Sequence, residues 1–189
     1  MTAATPPKQD IATGPLSFRV FRALWIATII SNIGTWMNDV GSAWLMTSLS
    51  PSPMFVALVQ AATTLPMFLL ALPAGAMADI VDRRKLLLGA QLLGLVGAAT
   101  LAMLTLAGLT TPWVLLGVPF VLGISAALSA PVFQAIVPEL VDKQALPDAV
   151  ALNSLGVNIS RAIGPALGGV IVALAGIPAV FALNAVSVI

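Results

Sequence analysis

The sequence predicts an all-α protein, a polytopic bundle of transmembrane helices, and three observations carry that prediction. Of its 189 residues, 59% are hydrophobic and only 8% are charged, where a soluble domain carries roughly a quarter charged residues. Mean hydropathy is +1.06, so there is too little polar surface to cover a water-soluble globule. The apolar residues form long runs, and all the basic residues but Arg161 sit at or before the start of the first run or in alternate connections between the runs. In hydrocarbon every backbone amide and carbonyl needs an internal partner, which leaves helices or closed barrels. Barrel strands would alternate polar and apolar residues; these runs are apolar throughout, so helices are expected.

Residues 1–17 are polar, small and proline-containing (Thr5-Pro6-Pro7-Lys8, Gly14-Pro15) and are expected to form a flexible tail. They lack the basic stretch, apolar core and small-residue cleavage site of a signal peptide. Residues 18–189 are expected to form the bundle. Its spans read about 20–49, 55–77, 86–109, 113–137 and 148–175, each long enough for the roughly 20 residues a bilayer crossing needs. A sixth span begins at 177 and reaches the last residue after a run too short to cross. The sequence is therefore expected to be truncated within that helix.

Topology follows from charge. Lys8, Arg19 and Arg22 precede the first span, Arg83, Arg84 and Lys85 lie between the second and third, and Lys143 lies between the fourth and fifth. The intervening connections carry no charge. Basic connections stay on the cytoplasmic side, which predicts a cytoplasmic N-terminus in a cell (inner) membrane.

The densest charge cluster is Gly75-Ala-Met-Ala-Asp79-Ile-Val-Asp82-Arg83-Arg84-Lys85. Gly75 would let the end of the second span approach a neighbour closely. Asp79 is placed to accept from amides at a helix N-terminus or to pair with Arg83. The residues alone leave open a solvated loop that only fixes topology. In span five, Gly156, Ser160, Gly164 and Gly168 recur every fourth position and form one small-residue stripe. Arg161 borders it, and Pro165 and Gly169 accompany it. A static packing groove accounts for the stripe equally well. Arg161 lies deep enough in its span to face a cavity or a partner, or else to snorkel towards the headgroups.

Span one has a polar side. At about 100° per residue, Trp25, Thr28, Asn32, Trp36 and Asp39 fall within about 80° of one another, with Thr35 and Ser42 flanking. Trp25, Asn32, Trp36 and Asp39 are therefore candidates to line a substrate cavity, although Asp39 also suits a buried structural contact. Gln60, Thr63 and Thr64 in span two are expected to hydrogen-bond between helices. Pro119 and Pro131 predict a kinked fourth helix. Glu139, Asp142, Lys143 and Asp148 read as a solvated loop, with Pro147 or Asp148 starting span five.

Gly75-x-x-x-Asp79-x-x-Asp82-Arg83-Arg84 resembles the loop 2–3 signature of the major facilitator superfamily, Gly-x-x-x-Asp-Arg/Lys-x-Gly-Arg-Arg/Lys. Ile80 and Asp82 depart from it. The Ala78-Asp79-x-x-Asp82-Arg83-Arg84 variant and Gly34-Thr35-Trp36-Met37 resemble the branch containing enterobactin exporters and macrolide-efflux-like proteins. Val137-Pro138-Glu139-Leu140-Val141 and Ala149-x-Ala151-Leu152-Asn153-Ser154 do so too. The resemblance covers residues 18–189. It implies a secondary transporter in which Gly75, Asp79, Asp82, Arg83 and Arg84 form a conformational latch between two halves. Gly164-Pro165-x-x-Gly168-Gly169 resembles the span-five motif of exporters and antiporters, and the first and fourth helices would line the cavity. The fourth span lacks the arginine that the superfamily often carries there, which puts proton coupling of that kind in doubt.

These observations predict efflux of a small hydrophobic or siderophore-like molecule by alternating access coupled to an ion gradient. The expected partners are the lipid bilayer, a small-molecule substrate and a missing C-terminal half of the same transporter. Set against this is a non-transporting membrane scaffold that uses the same stripes to pack helices. Cys and His are absent, so no metal site, cofactor or nucleophile–base pair is expected. Without a phosphate-binding glycine loop or a basic patch, neither an ATP-driven motor nor nucleic-acid binding is supported.

Overall fold

The computed structural model describes residues 14–188, and every regular element among them is helical. Most of the expected tail, with Lys8, lies outside the described residues, as does Ile189. Pro15–Ser17 form a short 3-10 turn whose Pro15 is buried. Six α-helices follow: α1 (Arg19–Leu49), α2 (Pro53–Ile80), α3 (Arg83–Leu106), α4 (Pro112–Leu140), α5 (Leu146–Ala175) and α6 (Ile177–Ser187). The first five are long and apolar enough to cross a membrane.

Local chemistry sets the helix ends. Proline stands in the first turn of α2, α4, α5 and α6, where its missing N–H is no loss. Asp82 caps α3, its Oδ1 accepting from the amides of Arg84 (2.9 Å) and Lys85 (3.2 Å). Gly176, at φ 81°, turns the chain sharply between α5 and α6, a conformation that suits only glycine without strain. Pro147 opens α5, and Asp148 lies in its first turn with no capping bond at that terminus. α4 continues through Pro119, Pro131 and Pro138 as a single helix.

Successive helices run in opposite directions, so the ends of α2 and α4 and the starts of α1, α3 and α5 share one charged end. Around the bundle the extensive pairings run α2–α4–α3–α6–α1–α5. That pattern is unchanged when α1, α2 and α3 are exchanged with α4, α5 and α6. Exchanged helices point in opposite directions, so the bundle is an inverted repeat of two three-helix units. Met37, Met46, Leu101, Leu115 and Phe181 are fully or almost fully buried in one cluster joining α1, α3, α4 and α6. At the charged end, Phe21 packs with Val141, Ala145 and Ala149, and Ala78 packs with Leu86 and Val132. The large apolar side chains on the outer face of α2, such as Phe68 and Leu72, remain exposed.

Candidate functional site

The α1–α5 seam gathers most of the predicted functional residues. Gly156, Ser160, Gly164 and Gly168 are all buried because α1 lies directly over them. A Cβ on Gly164 would fall 2.5 Å from the Cβ of Trp36, and one on Gly168 would fall 3.2 Å from the Met37 Cα. Ser160 Oγ donates to Gly156 O at 2.9 Å within its own helix and faces Ile29 O across the seam at 3.3 Å. The stripe therefore works by letting α1 and α5 approach backbone to backbone. Gly169 takes no part, since its missing side chain faces open space, and Pro165 is half-buried beside the stripe.

Arg161 stands about 22 Å along α5 from Leu146 at about 1.5 Å per residue, near the helix midpoint. Its guanidinium carbon lies 5.4 Å from the centre of the Trp36 ring. The side chain is exposed on the bundle surface, and the sole ion pair among the described residues is elsewhere. A guanidinium at mid-bilayer costs about 2.5–3.5 kcal/mol on insertion scales. A cation–π contact returns about 0.5–2 kcal/mol, which leaves the charge under-compensated within this bundle.

Span one divides between packing and open surface. Trp25 donates its indole N–H to Leu152 O on α5 at 2.9 Å, so its polar atom is committed to the seam rather than to a cavity. Asn32, Trp36 and Asp39 are half-buried and Thr35 is exposed. Asp39 lines a cleft of about 580 Å³ between α1 and α2 at the uncharged end, together with Thr47, Ser52, Val56, Gln60 and Thr63. Thr63 and Thr64 do not bridge helices as expected. Their hydroxyls donate to Val59 O (3.1 Å) and Gln60 O (3.0 Å) one turn back, the local bond that threonine makes readily inside a helix.

The α2–α3 connection differs from its expected wiring. Arg83 Nη1 pairs with Glu139 Oε1 at 2.7 Å rather than with Asp79, and this brings Glu139 out of its expected solvated loop into a link between α3 and α4. Asp82, not Asp79, accepts the amides at the α3 N-terminus because it stands at the N-cap position. Asp79 and Arg84 are exposed, and neither side chain has a hydrogen-bond partner among the described residues. Gly75 has nothing within 4 Å of its missing Cβ, so no neighbour exploits it here.

Several buried polar groups escaped the sequence reading, apart from Ser42, which it placed beside the polar side of span one. Ser125 donates to Ala90 O at 2.6 Å, tying α4 to α3. Asn38, Ser42 and Asn184 bury side-chain oxygens with no protein partner. Asn38 and Ser42 stand four apart on the side of α1 that bears Gly34 and Gly41, where α6 packs; the small residues were the available signal.

The family model for transmembrane secretion effectors matches residues 11–189. This chain belongs to that family. It is a multi-pass membrane protein of the major facilitator superfamily, with the all-helical fold of a superfamily half. The staphyloferrin A transporter of Staphylococcus aureus is 32% identical over 155 residues, covering 82% of this chain and 39% of that protein. The enterobactin exporter of Citrobacter koseri is 30% identical over 160 residues, covering 83% and 38%. Macrolide efflux protein A of Streptococcus pyogenes is 21% identical over 164 residues, covering 87% and 40%. This transmembrane secretion effector chain spans about two fifths of the length of those relatives. No solved structure gives a significant match. The relatives carry the names of transporters, not of enzymes.

Proposed function

We propose that these residues form the N-terminal half of a twelve-helix secondary transporter that exports a small hydrophobic or siderophore-like molecule. Export proceeds by alternating access coupled to an ion gradient, with this half rocking against a C-terminal half of the same transporter. The charged end faces the cytoplasm of a cell whose inner membrane holds the protein, as the clustering of Arg19, Arg22, Arg83, Arg84 and Lys143 at one end supports. Asp79 and Arg84, exposed and unengaged at that end, await partners on the other half and bias one state when they find them. Asn32, Trp36 and Asp39 contact cargo.

The observation that carries this reading is the exposed Arg161 at mid-depth of α5 beside Trp36. Lipid is a poor neighbour for such a charge, whereas a wet path between two halves is a suitable one. The test is gradient-driven flux of labelled siderophore or macrolide in inside-out vesicles carrying the full-length protein. Flux that falls on Asp79→Ala and Arg161→Ala supports the reading. Absence of any gradient-driven flux from the folded protein leaves the stripes as packing devices of a scaffold, and flux that both folded variants leave unchanged removes Asp79 and Arg161 from the transport machinery. Labelling at residues 83–85 from the cell exterior would reverse the orientation.

A further inference from the structure

We infer that Arg161, lying over Trp36, is a receptor for the anionic group of an aromatic acid, so that the α1–α5 face selects cargo by negative charge. This deepens the export reading and rests on it for the statement that the bound acid is cargo.

The argument begins with what surrounds the guanidinium. Ser154, Asn158 and Arg161 stand at i, i+4 and i+7, on one face of α5, and all three are exposed. Asn158 Nδ2 donates to Ser154 O at 2.9 Å, which leaves its amide oxygen and its second N–H free. A polar row thus climbs from the charged end of α5 to its midpoint and stops at Arg161. Beyond it on that face come Pro165 and then apolar residues. Across the seam, the Cβ and Cγ of Trp36 lie against Gly164, so its ring has a firm base.

Two features of Arg161 point to an anion rather than to a structural role. Its fork of five donors matches a carboxylate in a bidentate geometry, and no acid among the described residues occupies it. Asp39 lines the α1–α2 cleft and makes no ion pair with it. Ring and guanidinium together form a mixed surface: the edge of Trp36 offers aromatic packing, while the guanidinium offers charge-assisted hydrogen bonds. A planar acid, with a carboxylate joined to an aromatic ring, satisfies both at once. A cationic amine would meet Arg161 as a like charge. The guanidinium is engaged with the Trp36 ring, a contact that snorkelling towards the headgroups does not by itself require.

The test measures binding of naphthalene-2-carboxylate and of its uncharged isostere, naphthalene-2-carboxamide, to the full-length protein carrying these residues in phosphatidylcholine nanodiscs. The carboxylate is expected to bind at least about tenfold more tightly. Arg161→Gln should erase that preference, Arg161→Lys should keep part of it, and Trp36→Phe should weaken both ligands alike. An unchanged carboxylate preference in Arg161→Gln, with Arg161→Lys folded and indistinguishable from it, overturns the proposal. So does equal affinity of the two ligands for the parent protein. If replacing phosphatidylcholine by phosphatidylglycerol removes the difference in carboxylate affinity between the parent and Arg161→Gln, lipid headgroups occupy Arg161 and the proposal is also overturned, since the repulsion of the acid by the anionic surface is common to both proteins. Arg161-dependent binding without vesicle flux sinks the export reading and leaves this site standing. Flux of other cargo that is insensitive to Arg161→Gln does the reverse.

Discussion

The α1–α5 seam and the α2–α3 connection each hold a motif of glycine and charge, yet they are built on opposite terms. In the seam each of the four small positions meets α1, and a methyl group at Gly164 would already collide with Trp36. In the connection Gly75 meets nothing, Asp79 and Arg84 are free in solvent, and one ion pair is made between groups that are 42% and 64% exposed. A backbone-to-backbone contact is completed by its own bundle. A solvated charge cluster that is half engaged has capacity left for something outside that bundle, which is why we assign the seam to stability and the connection to switching.

Substitutions at glycine break this comparison most directly. Gly164→Leu should prevent α1 and α5 from docking, seen as loss of a monodisperse peak in detergent. Gly164→Ala should cost about 1–3 kcal/mol from overpacking, read as a lower melting temperature in detergent. Gly169→Ala and Gly75→Ala, each facing open space, should instead raise stability by up to about 1 kcal/mol through helix propensity. Equal loss at Gly164 and Gly169 would mean that the stripe is not the contact.

Side-chain hydrogen bonds sharpen it. Asp82→Ala removes the α3 cap and should cost about 1 kcal/mol, and Asp82→Asn should restore most of it. Trp25→Phe, which loses the bond to Leu152 O but keeps the ring, should cost about 1 kcal/mol. Thermal unfolding of both variants beside Asp79→Ala, expected within about 0.5 kcal/mol of the parent, separates the residue that caps from the residue that does not.

The smallest effect is expected at the ion pair. Arg83→Ala or Glu139→Ala should each change stability by less than about 1 kcal/mol, since exposed pairs are worth little and are screened by salt. A double-mutant cycle at low and high ionic strength measures it. A coupling that is large and insensitive to salt would mean the pair is shielded by something beyond this bundle.

Much of this was legible beforehand, for reasons that are local. Hydrophobic runs specify spans because lipid forbids unpaired backbone, and the stripe at 156, 160, 164 and 168 shows on one helix because its period is that of the helix. The partner of each motif was not legible. Nothing in the order of residues says that Arg83 reaches Glu139, because the two meet only when α4 returns to the charged end. Trp25 reads as a cavity residue from the face it occupies, and its bond to Leu152 exists only because α5 lies parallel to α1. Asn38, Ser42 and Asn184 look like scattered amides and a hydroxyl until α6 covers α1.

From composition and periodicity alone came the helical class, the membrane as solvent and the segregation of charge to alternate connections, since each is a property of a segment against its surroundings. The pairing order of the helices, the inverted relation of the two three-helix units and the meeting of Arg161 with Trp36 were decided in three dimensions. Those depend on which faces find one another, and close packing among several apolar faces is settled by shape rather than by hydrophobicity, which they all share.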